Sequence, residues 1–311
     1  MRFSIRFREL YVLISIFAMT AVFSYINPRF ISGEAFYSIL NIATELGIIA
    51  VGVSFLMIAG QFDLSVGAVY AFSGIIAAYI TNMGLGYSIG FLAAMLFAIA
   101  VGLVNGLITV YGRIPSFITT LGMMWFLRGI LLAITGGFPV GFERMPGEAM
   151  VFTYKIAGDL SISSLWFIGL IAVFHLILTS TAFGNQAQAV GGALDVARAV
   201  GVRANRVRIV SFMLSSICAA IAGQVALARF RIVEPTAGQG LELEAIAASV
   251  LGGTSLAGGV GSIVGASLGA ILVGLIRVGL IFAGAPAYWY IGFIGVLLII
   301  VGIINLRRVL Q

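Results

Sequence analysis

The chain has 311 residues, 61% of them apolar and only 9% charged, with a formal net charge of +6. Soluble domains carry about 25% charged residues, so the composition excludes a water-soluble fold. Without a solvated domain to cluster them, the basic residues do not point to nucleic acid, and the single cysteine, Cys218, excludes an intrachain disulfide.

At the N-terminus, Arg2, Arg6 and Arg8 precede an apolar run with no small-residue cleavage site, which reads as a retained first helix. Apolar runs long enough to cross hydrocarbon then occur at 10–26, 36–60, 64–80, 88–111, 115–134, 165–179, 209–229, 241–251, 263–282 and 288–305. They predict an all-α membrane protein, a polytopic bundle of about ten crossings with broken helices, in one domain over 1–311. The alternation of a membrane barrel, in segments of about ten residues, is missing from these runs. Positive charge gathers in Arg2, Arg6 and Arg8, in Arg198, Arg203, Arg206 and Arg208, and in Arg307 and Arg308, which places those segments and both termini in the cytoplasm. An even number of crossings then requires 241–251 to cross together with its glycine-rich continuation, and puts 135–164, with Glu143, Arg144, Glu148, Lys155 and Asp159, outside. Gly261, Gly265 and Gly269, at four-residue spacing among 40 glycines, read as close helix packing in preference to a moving hinge.

No phosphate-cradling loop, nucleophile elbow or Cys/His cluster appears, and His175 has no ligand set at helical spacing. Neither a catalytic residue nor a metal or cofactor site is expected. Three stretches carry the remaining signal. In the first, Gln61, Asp63 and Ser65 interrupt two apolar helices between Gly60 and Gly67. Irregular backbone at membrane depth must be covered by protein or reached by water, so these residues either line a solute path or cap the next helix, and both readings stay open. In the second, Gly238 to Gly259, glycines bracket a short helix that starts with Glu242 and Glu244 and ends in Gly252, Gly253, Thr254, Gly258 and Gly259, the form of a discontinuous transporter helix. The two acids read as solvated residues at an outer mouth. In the third, the segment about 184–208, a short helix lies between Gly191, Gly192 and Gly201, with Asp195 near its start and Arg198 toward its end. A partner-docking helix and a plain loop fit these residues equally.

At these places the chain resembles the permease subunits of bacterial ABC importers of the ribose and simple-sugar type, over nearly its whole length. The resemblance is carried by Phe62-Asp63-Leu64-Ser65-Val66-Gly67, by Gly112-Arg113-Ile114-Pro115-Ser116-Phe117-Ile118-Thr119-Thr120-Leu121-Gly122, by Gly191 through Gly201, and by Ala245-Ile246-Ala247-Ala248 leading into Leu251-Gly252-Gly253-Thr254-Ser255-Leu256-Ala257-Gly258-Gly259. It implies a type II importer permease in the bacterial inner membrane among lipid, paired with a second permease copy, identical or not. It also implies separate ABC ATP-binding subunits and an external, periplasmic or extracellular solute-binding protein. Gly191, Gly192, Leu194, Asp195, Arg198 and Gly201 would form the helix that couples to the ATPase. One departure stands out: the family pattern Gly-Gly-Asn-Glu-Ala-Ala is replaced by Ala193 and Leu194 with the acid at Asp195, which points to a different ATPase surface or a non-identical second permease.

For a solute bearing hydroxyls and no charge, Gln61, Asp63, Ser65, Thr119 and Thr120 are the expected path contacts. A nucleoside, a signalling sugar or a branched-chain amino acid fits the same sequence. An ion-coupled carrier would instead show paired intramembrane acids and bases; Glu45, Arg128 and Arg277 are candidate buried charges, with no pairing visible in the sequence.

Overall fold

The computed structural model describes residues 7–286 and 288–309, with side chains from Glu9 to Ile299 except at 157, 287 and 298. The side chains of Arg2, Arg6, Arg8, Arg307 and Arg308, on which the placement of the termini rests, lie outside the described residues. The elements in order are α1 (Phe7–Ile26), α2 (Gly33–Ile58), α3 (Val66–Ile80), α4 (Tyr87–Tyr111), α5 (Ser116–Thr135), β1 (Val140–Gly141), α6 (Met150–Thr153), β2 (Lys155–Ala157), β3 (Leu160–Ser161), α7 (Ser163–Ser180), α8 (Ala182–Gly192), α9 (Leu194–Ala199), α10 (Ala204–Phe230), β4 (Ile232–Val233), α11 (Leu241–Leu251), α12 (Ile263–Phe282) and α13 (Tyr288–Val309).

Eight helices among the described residues are long and apolar enough to span a bilayer. Of the ten runs in the sequence, the remaining two are α13 and the 11-residue α11, whose length of about 16 Å reaches only half way across. Local chemistry sets the helix starts. The hydroxyls of Ser32, Thr181 and Ser262 accept from the backbone N–H groups of Ala35, Gly184 and Gly265, satisfying donors that a helix cannot pair internally.

The second half of α2, from Leu46 to Ile58, is apolar on nearly every side, and Ile48, Ile49, Val51, Val53 and Leu56 have no exposure, so it occupies the centre. Helices α7, α10, α11 and α12 pack around it, α3 and α4 extend the layer over α10, and α1 lies against α12. Small residues permit these approaches: a Cβ at Gly106 of α4 would stand 2.9 Å from the Ile209 Cα of α10. Gly265 and Gly269 press likewise on the backbone of Gly252 and Ala248, so this spacing joins α12 to α11.

The segment 135–164 contributes to two antiparallel strand pairings that the sequence reading did not anticipate, one of them a hairpin within it. β2 pairs with β3, and β1 pairs with β4, so the loop after α5 and the chain leaving α10 close one end of the bundle together. The opposite end carries α8 and α9, and α1 starts there, Ser262 Oγ donating to Glu9 at 2.6 Å.

Candidate functional site: broken helices and a glycine junction

The break between α2 and α3 is sealed by side chains. Asp63 Oδ1 accepts from the Ser65 N–H at 2.9 Å and from Ser65 Oγ at 2.6 Å. Asn105 of α4 donates to Ser65 Oγ at 3.0 Å, while Ser116 and Thr120 of α5 accept from the N–H groups of Phe62 and Leu64 at 3.1 and 3.0 Å. Gln61 turns back onto the Gly60 carbonyl at 2.6 Å. Asp63, Ser65, Asn105 and Thr120 have no exposure, and Gln61 and Thr119 are buried. Of the expected path residues, Asp63, Ser65 and Thr120 join Asn105 and Ser116 in a buried clasp that pins α3, α4 and α5, while the Thr119 hydroxyl is buried outside these bonds. Asn105, absent from the expectation, is central to it; an amide in an otherwise apolar helix was the available signal.

The two glycine-rich stretches, far apart in sequence, meet the end of α2 at one point. The Gly259 N–H donates to the Ile58 carbonyl at 2.9 Å. A Cβ on Gly191 would collide with that carbonyl and stand 2.7 Å from the Gly259 nitrogen, and one on Gly258 would stand 2.9 Å from the Gly60 Cα. Gly60, Gly258 and Gly259 have φ of +76, +84 and +74°, a region open mainly to glycine. Ser54 and Thr254 are hydrogen-bonded beside them at 2.7 Å. Beyond the junction, Gly192 ends α8, and α9 presents Asp195, 98% exposed, with Arg198 3.8 Å away and Val196 in the open. Leu194 and Ala197 pack inward, and Gly201, at φ +86°, reverses the chain toward α10.

From β4 the chain turns into the bundle. Gly238 abuts Gly67 and Tyr70, and Tyr70 in turn abuts Gly223 within α10, so α11 begins deep between the ends of the long helices. Arg128 holds this inward segment by donating to the Pro235 carbonyl at 2.7 Å, leaving Thr236 and Gln239 exposed. The outer-mouth reading of the acids is corrected here. Glu242 is 8% exposed, with Oε1 accepting from the Gly240 N–H at 3.2 Å, and Glu244 accepts from Tyr290 at 2.8 Å.

Charge pairing is also present where the sequence showed none. Arg229 donates to Glu45 Oε1 at 3.0 Å and Tyr70 to Oε2 at 3.0 Å, while the Arg277 guanidinium lies 4.8 Å from the Tyr290 ring centroid. These partners are far apart in sequence, so local spacing carries no trace of them.

A bundle of apolar helices broken at membrane depth, with polar backbone turned inward and an exposed short helix at one end, is the build of a transport permease. The family described as branched-chain amino acid transport system, permease component, matches residues 35–302, and the chain belongs to it. The ribose import permease protein of Escherichia coli K12 is 35% identical over 280 residues, covering 89% of this chain and 87% of the relative. The autoinducer 2 import system permease protein of Yersinia enterocolitica is 34% identical, covering 91% and 78%. That of Photorhabdus luminescens is 32% identical, covering 91% and 85%. No solved structure matches.

Proposed function

We propose that this chain is the membrane-spanning permease domain of an ATP-driven ABC importer that carries a monosaccharide or a similar small polar solute handed over by an external binding protein. The ATPase is a separate subunit that docks on α9, within the coupling segment 184–208. A second permease copy, identical or not, completes the passage in a bacterial inner membrane, with both termini cytoplasmic. The named relatives, which import ribose and autoinducer 2, support this solute class over the amino acids of the family description.

The observation that carries the coupling reading is the backbone contact of Gly191 with Ile58 and Gly259. A displacement of α8 and α9 by a closing ATPase reaches the end of α2 and the loop after α11 with no flexible side chain between. Gly252, Gly253, Thr254, Gly258 and Gly259 then act where α11 joins α12. As α11 moves, the inward segment with Thr236 and Gln239 moves with it, and the clasp at Asp63, Ser65, Asn105, Ser116 and Thr120 holds α3 in register. Weak hydroxyl and amide contacts suit a conveyor, because tight binding midway would slow release.

The Glu45–Arg229 pair favours testing an ion-coupled carrier as the second reading, since such carriers use intramembrane acid–base pairs. The deciding measurement is solute uptake into proteoliposomes holding the permease, its ATPase and the binding protein. Uptake that requires ATP and the binding protein supports the importer; uptake driven by a proton or sodium gradient alone overturns it.

A further inference from the structure

A cavity of about 390 Å³ opens between α8 and the start of α10, away from the junction and the inward segment. Its wall is apolar, formed by Phe183, Val207 and Val210, and its polar side is formed by Gln186, Arg203 and Arg206. Helix α7 ends at Ser180, and the apolar run of α10 begins at 209, five residues into that helix. Phe183 and Gln186 therefore follow one apolar run within two turns, and Arg203 and Arg206 precede the other within two turns. The cavity thus lies beside the ends of two candidate spans, where lipid headgroups are expected.

Charge at this place is unbalanced. Between 182 and 210 the sequence holds Arg198, Arg203, Arg206 and Arg208 against a single acid, Asp195. Asp195 is already engaged by Arg198, and among the described residues no carboxylate forms an ion pair with Arg203 or Arg206. The first turn of α10 adds to this field, with neither an acid nor a side-chain cap at Arg203. Two guanidiniums and an amide around a pocket with an apolar wall match a phosphodiester carrying acyl chains, because guanidinium pairs bidentately with phosphate and the wall accommodates the glycerol end. Basic pockets between spans at the cytoplasmic face take up anionic lipid headgroups on this physical basis.

We propose that Arg203, Arg206 and Gln186 form a binding site for the phosphate headgroup of an anionic phospholipid, seated beside the α8–α9 segment. A bound lipid, with one negative charge shared between the two arginines, offsets half of their charge, fills the space between α8 and α10, and so sets the resting position of the coupling segment. The assignment depends only on the chain lying in a membrane and is independent of which solute is carried.

The test uses the full-length permease, in nanodiscs of phosphatidylcholine with or without phosphatidylglycerol, and counts the phosphatidylglycerol retained after transfer to detergent by native mass spectrometry. The wild type is expected to retain one tightly held phosphatidylglycerol per chain. Arg203→Gln with Arg206→Gln is expected to weaken that binding about thirtyfold, from the worth of two basic residues at an anionic surface. Arg203→Lys with Arg206→Lys keeps the charge but not the guanidinium fork and is expected to weaken binding less than the double Gln variant, which guards against a folding defect, and Arg144→Gln, away from the site, is expected to retain the lipid fully. Equal retention in the double Gln variant overturns the proposal. So does loss of the retained phosphatidylglycerol on addition of inorganic phosphate, which marks a free-anion site. Unchanged lipid retention with loss of ATPase assembly also overturns it and assigns the arginines to protein docking.

Discussion

Gly191→Ala is the sharpest single perturbation of the junction. In an isolated helix the change would stabilise by up to about 1 kcal/mol, because glycine is the poorer helix former. Here the new methyl meets the Ile58 carbonyl and the Gly259 nitrogen, the latter 2.7 Å away, and both are backbone atoms that no rotamer change can move. Overpacking of this kind costs about 1–3 kcal/mol. Parting the two segments also weakens the hydrogen bond from the Gly259 N–H to the Ile58 carbonyl, a further cost of about 1 kcal/mol. The net expectation is destabilisation by about 1–3 kcal/mol, the crowding terms outweighing the propensity gain. Thermal unfolding of the purified permease reads the stability, and ATP-dependent uptake reads the coupling, which should fall while ATP binding by the complex persists. Gly169→Ala, at a helical glycine with open space around it, is the matched control and should be neutral or slightly stabilising. Wild-type stability together with wild-type uptake in Gly191→Ala would refute the direct-contact mechanism.

Arg229→Met should destabilise by about 1–3 kcal/mol, less than the full loss of a buried pair because the arginine side chain is 35% exposed. Adding Glu45→Gln should recover most of that loss in a double-mutant cycle, and simple additivity would show that the pair is not coupled. Thr120→Val keeps the volume but leaves the buried Leu64 N–H without its acceptor, and should cost about 1–3 kcal/mol in unfolding measurements. Asp195→Ala with Arg198→Ala removes an exposed pair, so the melting temperature should stay unchanged while ATP-dependent uptake is lost. Uptake at the wild-type rate would take both residues out of the coupling step.

The long spans were legible because an apolar run of membrane length has few alternatives in any solvent. The three stretches were legible because isolated polar residues are costly inside lipid and, flanked by glycines, mark irregular backbone. Their convergence was not legible. Nothing local in Gly60, Gly191 or Gly259 states that they touch, since that contact follows from how α2, α8 and α11 pack. The same holds for Glu45 and Arg229, which sit in separate apolar helices, and for the strand pairing of Val140 with Val233. The acids of α11 were misplaced for a related reason: a helix start rich in glutamate looks like a solvated end until Gly238 is seen against Gly67.

The closed Glu45–Arg229 pair has an electrical consequence. A lone charge carried through the membrane field couples to voltage by about 2.3 kcal/mol per 100 mV, enough to bias any helix that bears it. Joined at 3.0 Å, the carboxylate and guanidinium of α2 and α10 travel as a neutral unit. While that bond holds, movement of the pair carries no net gating charge across the field, so the membrane potential acts on neither partner alone.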